Sequence, residues 1–288
     1  MEQVTPLESM EQPVPNTSPI PEHSDNLREV LQVRAPSEVV EWLNVLLYAD
    51  PGIGKTYQIG TCANDPRLAP VLLFDAEGGT TTLRHMDNID VIPIRSIVEL
   101  EEKYNKLYAS IKVDDDGTPR MYYKTVAIDT VTELADLDMR FIMKAAYARN
   151  PDKVDIDVPS PREWGINRSH VRKIIRAFRD LPCHTIFTAH VGTEHEENMP
   201  PKFFPGFAGK LKQEVPGFCD IVGYMSNDTT TGVLERRVQF QGTRRVVAKD
   251  RTSALGDLII DPSMTKFWDL IQAHDNNINN PTQNQTTE

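Results

Sequence analysis

Leu46-Leu47-Tyr48-Ala49-Asp50-Pro51-Gly52-Ile53-Gly54-Lys55-Thr56 constrains this chain more than any other stretch. The apolar run from Leu43 to Tyr48 reads as a buried strand. A Gly/Pro turn follows, and Lys55-Thr56 opens a helix. Strand, glycine-rich loop and helix in that order form a phosphate-binding P-loop. Its glycines let backbone N–H groups close on a phosphate without a Cβ in the way. Ala49 stands where the pattern asks for a first glycine, and alanine fits if φ stays negative there. Asp50, Pro51, Gly52, Ile53, Gly54, Lys55, Thr56 and Tyr57 are therefore the predicted nucleotide contacts. Lys55 is placed for the β- and γ-phosphates and the Thr56 hydroxyl for Mg²⁺.

The chain has 288 residues, 25% charged and 39% hydrophobic, an ordinary globular mix. Residues 1–36 are rich in Pro, Glu, Ser and Thr, and residues 275–288 in Asn, Gln and Thr. Both ends have too little apolar surface to offset ordering entropy and are predicted disordered, leaving one domain over residues 37–274. No apolar run approaches the ~18 residues of a membrane span, and no signal peptide opens the sequence, so a cytoplasmic location without a membrane partner is expected. Cys62, Cys183 and Cys219 lie far apart without metal-ligand spacing and read as core thiols. The net charge of −11 argues against a generic nucleic-acid binder, so any DNA contact must come from a local basic stripe.

Beyond the loop, continuous apolar strands alternate with helices, which predicts an α/β fold with a mainly parallel central sheet covered on both faces. Val71 to Phe74 is such a strand and ends in Asp75-Ala76-Glu77-Gly78-Gly79. Ser96 caps a helix with Glu99 as its capping-box partner. Tyr123 to Thr130 reads as an apolar strand ending in an acid, Asp129, expected beside the P-loop strand and able to hold Mg²⁺ with Thr56. A Pro/Asp-rich loop over 150–163 precedes a helix from about Ile166. Val171, Ile174, Ile175 and Phe178 form its core face, and Arg168, Arg172, Arg176 and Arg179 form a second stripe. That stripe is either a solvated face or a phosphate contact. His184 to Val191 is a strand carrying His190 near its end. An irregular segment over 192–208 holds Phe203, Phe204 and Phe207 among lysines, suited either to stacking on single-stranded bases or to folding back on the core. Strands near 219–226, 233–241 and 244–249 read as antiparallel additions, and 267–273 as a closing helix. A short helix is expected over 37–42.

Five pieces in this order resemble the RecA-like ATPases, most closely phage-type single-domain AAA-family ATP-binding proteins that include the Sak-type annealing-associated ATPases. They are Ala49 to Thr56, Leu72 to Gly79, Val126 to Thr130, Thr188 to His190, and Ala248 to Arg251, and they span about residues 40–272. The Lys249-Asp250-Arg251 piece is similar to a RadA-type signature. The resemblance implies ATP and Mg²⁺ as ligands and a homo-oligomeric ring or filament with ATP between subunits. It also implies roles: Glu77 polarising the attacking water, His190 sensing the γ-phosphate, Arg84 stacking on adenine, and Lys249 and Arg251 reaching a neighbour's γ-phosphate. Asp75 rivals Glu77 as the base, or bonds the loop backbone.

The function expected is Mg²⁺-dependent ATP hydrolysis coupled to single-stranded DNA in phage DNA recombination, annealing or replication, with a single-strand-binding or annealing protein as a further partner. An ATP-switched interaction module such as a helicase loader is the alternative. A small-molecule kinase fits less well: it would need an arginine-rich substrate lid and no base of the Glu77 kind, and the long strand-rich C-terminal third argues against it.

Overall fold

The structure, a computed structural model, describes residues 42–279 except 116 and 231. The predicted tails 1–36 and 280–288, and all but Trp42 of the predicted 37–42 helix, lie outside those residues. In chain order the elements are β1 (Asn44–Ala49), α1 (Lys55–Thr61), β2 (Val71–Asp75), β3 (Ile89–Pro93), α2 (Ile97–Ala109), β4 (Lys112–Val113), β5 (Pro119–Arg120), β6 (Thr125–Asp129), α3 (Val131–Arg149), α4 (Pro161–Arg179), β7 (His184–Glu194), β8 (Lys202–Pro205), α5 (Leu211–Phe218), β9 (Ile221–Asp228), β10 (Glu235–Gln239), β11 (Lys249–Asp250), β12 (Leu258–Ile260) and α6 (Met264–Asn279).

The main sheet runs β12-β10-β9-β1-β7-β6-β2-β3. From β9 to β3 every neighbouring pair is parallel. β10 and β12 add an antiparallel edge, and β11 runs antiparallel against the start of β9. The predicted α/β architecture is therefore present. Two details differ. The strand expected near 219–226 as an antiparallel addition is β9, which lies parallel beside β1. The Asp129 strand is not beside the P-loop strand, because β7 stands between β6 and β1.

Strand residues alternate between two cores, as a pleated ladder requires. Leu46, Tyr48, Leu72, Phe74, Val126, Ile128 and Phe187 face α2, α3 and α4, where Phe74 meets Phe178 edge-on at 5.1 Å. Val45, Leu47, Val71, Leu73, Ala127 and Ile186 face α1 and α6. All three cysteines are buried, and burial pushes the Cys183 and Cys219 thiols up to about 12. They are core thiols, as expected.

Helix α4 begins at Pro161, inside the expected loop. Ser160 accepts from the Arg162 N–H, and Glu163 accepts from the Ser160 N–H, giving a capping box with Pro at the first turn. The Ser96 cap of α2 is as expected, although the Glu99 carboxylate bonds the Arg95 N–H. The segment over 192–208 is not irregular. β7 continues to Glu194 and pairs with β8 as a hairpin, and α5 follows. At the other end, α6 runs to Asn279, so residues 275–279 are helical rather than tail.

Candidate nucleotide site

β1 is fully buried, and its last residue, Ala49, delivers the chain into the loop at the C-terminal end of the parallel strands. Gly52 and Gly54 take φ of 80° and 110°, a region closed to most side chains, so the loop needs glycine at both positions. Lys55 is 5% exposed. Its Nζ donates only long hydrogen bonds, to the Ala49 carbonyl at 3.4 Å and the Asp50 carbonyl at 3.3 Å. Burial lowers its pKa, and the nearby Glu77, Asp129 and Asp50 carboxylates offset that.

Thr56, at the second position of α1, points its hydroxyl at Asp129 Oδ2, 2.5 Å away. Asp129 is fully buried at the end of β6, and its other oxygen accepts from the Thr188 hydroxyl on β7. The intervening strand thus supplies the residue that fixes the carboxylate. This pair fits Mg²⁺, which takes one or two protein oxygens and completes its shell with substrate phosphates and water. Among the described residues no group of three or more His, Cys, Asp or Glu could hold a metal unaided.

Glu77 starts one strand further out than Asp129, on the turn after β2, and the turn is folded inward. The N–H groups of Ala76 and Glu77 both donate to the Asp129 carbonyl, at 2.7 and 3.2 Å. Asp75 Oδ1 accepts from the N–H groups of Glu77 (3.1 Å) and Gly78 (2.7 Å). Asp75 therefore organises the loop backbone, while the Glu77 carboxylate lies 3.8 Å from His190 Nε2. Gly79 passes so close that a Cβ there would sit 3.3 Å from Thr56 Oγ1. The His190 N–H donates to Thr132 Oγ1 (3.1 Å), and its buried Nδ1 has no hydrogen-bond partner among the described residues. Its carbonyl accepts from the Gly206 N–H at 2.7 Å.

The structure thus gathers Lys55, Thr56, Asp129, Glu77 and His190 at one end of the sheet, with Tyr57 exposed on α1 beside them. Arg84 is exposed after the turn over residues 80–83 and makes no hydrogen bond or ion pair among the described residues. Lys249 and Arg251 are elsewhere. β11 pairs with the first residues of β9, at the opposite end of the sheet from the P-loop. Lys249 Nζ donates to the Pro216 carbonyl (2.7 Å) and the Cys219 carbonyl, and Arg251 pairs with Asp220 at 2.9 Å. Neither reaches the P-loop of its own chain.

The arginine stripe is largely engaged within the chain. Arg172 pairs with Glu214 at 2.6 Å, Arg176 lies over the Phe218 ring at 4.8 Å, and Arg179 meets Asp180. The phenylalanines fold inward: Phe203 stacks on Tyr224 at 5.2 Å, Phe207 is buried, and Lys212 covers Phe204. Base stacking by these rings is therefore replaced by packing on the core. Sequence reasoning missed the roles of Thr188, Thr132 and Gly79. Thr188 and Thr132 carry a visible signal, since Thr188 lies on the strand of His190 and Thr132 follows the strand that ends in Asp129.

No curated protein matches the sequence. Among solved structures, the KaiC-like protein of the hyperthermophilic archaeon Pyrococcus horikoshii is similar at 14% identity, covering 76% of this chain and 89% of that one, with a TM-score of 0.41. The RadB recombinase is similar at 13% identity, covering 70% and 82%, with a TM-score of 0.37. Similarity at this level carries nothing about activity or partners. The family match is of another kind: the AAA domain family covers residues 42–252, most of the chain and every element around the Lys55 loop, and the protein belongs to that family of P-loop NTPases.

Proposed function

We propose that the protein hydrolyses ATP with Mg²⁺ and couples this to single-stranded DNA in recombination, annealing or replication of a phage type. The observation that carries the ATPase reading is the run Thr56–Asp129–Thr188 beside buried Lys55. In this reading Lys55 and the loop N–H groups hold the phosphates, and Mg²⁺ near Thr56 and Asp129 neutralises charge on them. Glu77 orients the attacking water and accepts its proton, with His190 beside it to report on the γ-phosphate. Asp75 keeps the Glu77 turn in place. Any part for Lys249 and Arg251 as cationic fingers is played across a subunit interface, in a ring or filament.

Support for DNA comes from a groove of about 380 Å³ between the start of α4 and the segment before α5. It is lined by exposed Trp164 with Arg168 and Lys210, whose cationic groups make no hydrogen bond or ion pair among the described residues. An aromatic face between two cations suits a base and its phosphates. The test is the ATPase rate with and without single-stranded DNA across a salt series, in wild type and Trp164→Ala. Stimulation that falls with salt and is lost in Trp164→Ala is expected. The absence of any DNA effect on wild type would overturn the DNA arm.

A second reading, an ATP-switched module that binds a protein such as a helicase, is favoured by the inward engagement of Arg172, Arg176 and Phe203 and by the net charge of −11.

A further inference from the structure

The P-loop has a second cation beside it, supplied by a part of the chain almost 200 residues later in sequence. β10 runs antiparallel to β9, which itself lies against β1, so β10 begins at the P-loop end of the sheet. Arg236 is the second residue of β10 and pairs in register with Asn227. Val238, two residues on, packs in the core shared with α1 and α6, so the pleat turns Arg236 toward the same face as α1. A Cβ built on Gly54 would lie 3.7 Å from Arg236 Nε and 4.0 Å from its Cδ. The arginine therefore lies over the last glycine before Lys55.

Its neighbour shows what an arginine in this hairpin does when it serves the fold. Arg237, on the opposite face, pairs with Asp228 and with Glu235 at 2.7 Å. The Arg236 guanidinium makes no hydrogen bond or ion pair among the described residues and is exposed. Only its backbone is tied, its carbonyl accepting from the Asp261 N–H at 2.9 Å. An anchored backbone with an unpaired guanidinium against a phosphate-cradling loop is an arrangement for an anionic ligand, since the planar fork matches phosphate oxygens.

We propose that Arg236 is a phosphate-binding residue for the nucleotide, acting within its own subunit. Each subunit then brings two cations, Lys55 and Arg236, to the phosphate chain, and tight binding does not wait on a neighbour. This rests on the nucleotide reading above. The test is ATP affinity by titration calorimetry, on full-length protein dilute enough to sediment as a monomer, for wild type, Arg236→Ala and Arg236→Lys. Arg236→Ala is expected to lose about 10- to 100-fold in affinity, the worth of a charge-assisted hydrogen bond or two. Arg236→Lys should keep part of it, and thermal melting of both variants should match wild type. Unchanged ATP affinity in Arg236→Ala overturns this proposal alone, and so does a loss of affinity accompanied by an equally lowered melting temperature in both variants, because the side chain then serves the fold. Wild type that binds no ATP at all overturns the nucleotide reading, and this one with it.

Discussion

The two ends of the central sheet hold their charges differently. At the N-terminal end of the parallel strands, Lys249 is tied to the last turn of α5, Arg251 to Asp220, and Asp220 in turn to Asn44 at 3.0 Å. His184 Nδ1 accepts from the Leu43 N–H at 3.1 Å. Every one of these groups has a short, local partner. At the C-terminal end, among the described residues, Lys55 is bonded only at 3.3–3.4 Å, Glu77 and His190 stand 3.8 Å apart, and the Arg236 guanidinium is unpaired. An ammonium has three donors and a guanidinium five, so these cations keep capacity for a ligand. The N-terminal end uses its charge to close the fold, whereas the C-terminal end, beside fold-serving groups such as Arg237 and Asp75, keeps part of its charge open for a ligand.

The sharpest break in that contrast would come from Lys55→Ala. It should abolish hydrolysis and weaken ATP binding, with turnover down by at least ~10²-fold, because the cation on the β- and γ-phosphates is gone. Turnover within a few-fold of wild type would remove the distinction between the ends. Next is Glu77→Gln, which should retain ATP affinity and lose roughly 10²-fold in turnover. Asp75→Asn should cost less in rate, since its amide Oδ1 can still accept from both loop N–H groups, while Asp75→Ala, which deletes that acceptor, should lower the melting temperature. The reverse ranking would transfer the base role to Asp75.

The far end should answer to pH in stability rather than in rate. Burial lowers the His184 pKa from 6.5 to about 4. The unfolded chain therefore binds this proton more readily. Its contribution is complete above about pH 6.5, is lost as pH falls toward 4, and is constant below that. Between pH 7 and 5 the loss is ~2 kcal/mol by linkage. Urea denaturation at the two pH values should show it, and His184→Asn, which keeps an acceptor for Leu43, should remove that increment. The smallest effects are expected for Lys249→Met, costing ~1–2 kcal/mol of stability through lost hydrogen bonds, and for the exposed Arg251→Ala, costing less than ~1 kcal/mol. If Arg251→Ala instead leaves stability unchanged, loses turnover and recovers it when mixed with Lys55→Ala, this end serves a neighbour's site.

What the sequence disclosed was local. The P-loop, the strand ends at Asp75 and Asp129, and the Glu77 turn were all readable, because each is a short run whose chemistry depends on adjacent residues. The doubly covered sheet followed from runs such as Val71 to Phe74, apolar at every position. The start of α4 was written in Ser160-Pro161-Arg162-Glu163 and went unread against the proline-rich loop. Strand order was not readable at all. That β7 separates β1 from β6, and that Thr188 thereby reaches Asp129, depends on pairings between residues some 60 or more positions apart. Arg236 was hidden for the same reason, since its distance from Gly54 is set by the β9–β10 register. The stripe at Arg172 and Arg176 was visible but its partners were not, because α5 had no periodic signal and contains Pro216.

Gly206 joins two of these regions through a single atom. Its N–H is bonded to the His190 carbonyl, and a Cβ at Gly206 would come within 2.9 Å of that oxygen. No side chain can be accommodated there without pushing the strands apart, so the contact behaves as a hinge pin with no slack. Two residues on, Ala208, Gly209 and Lys210 form one wall of the Trp164 groove, so that wall is held at a fixed distance from His190.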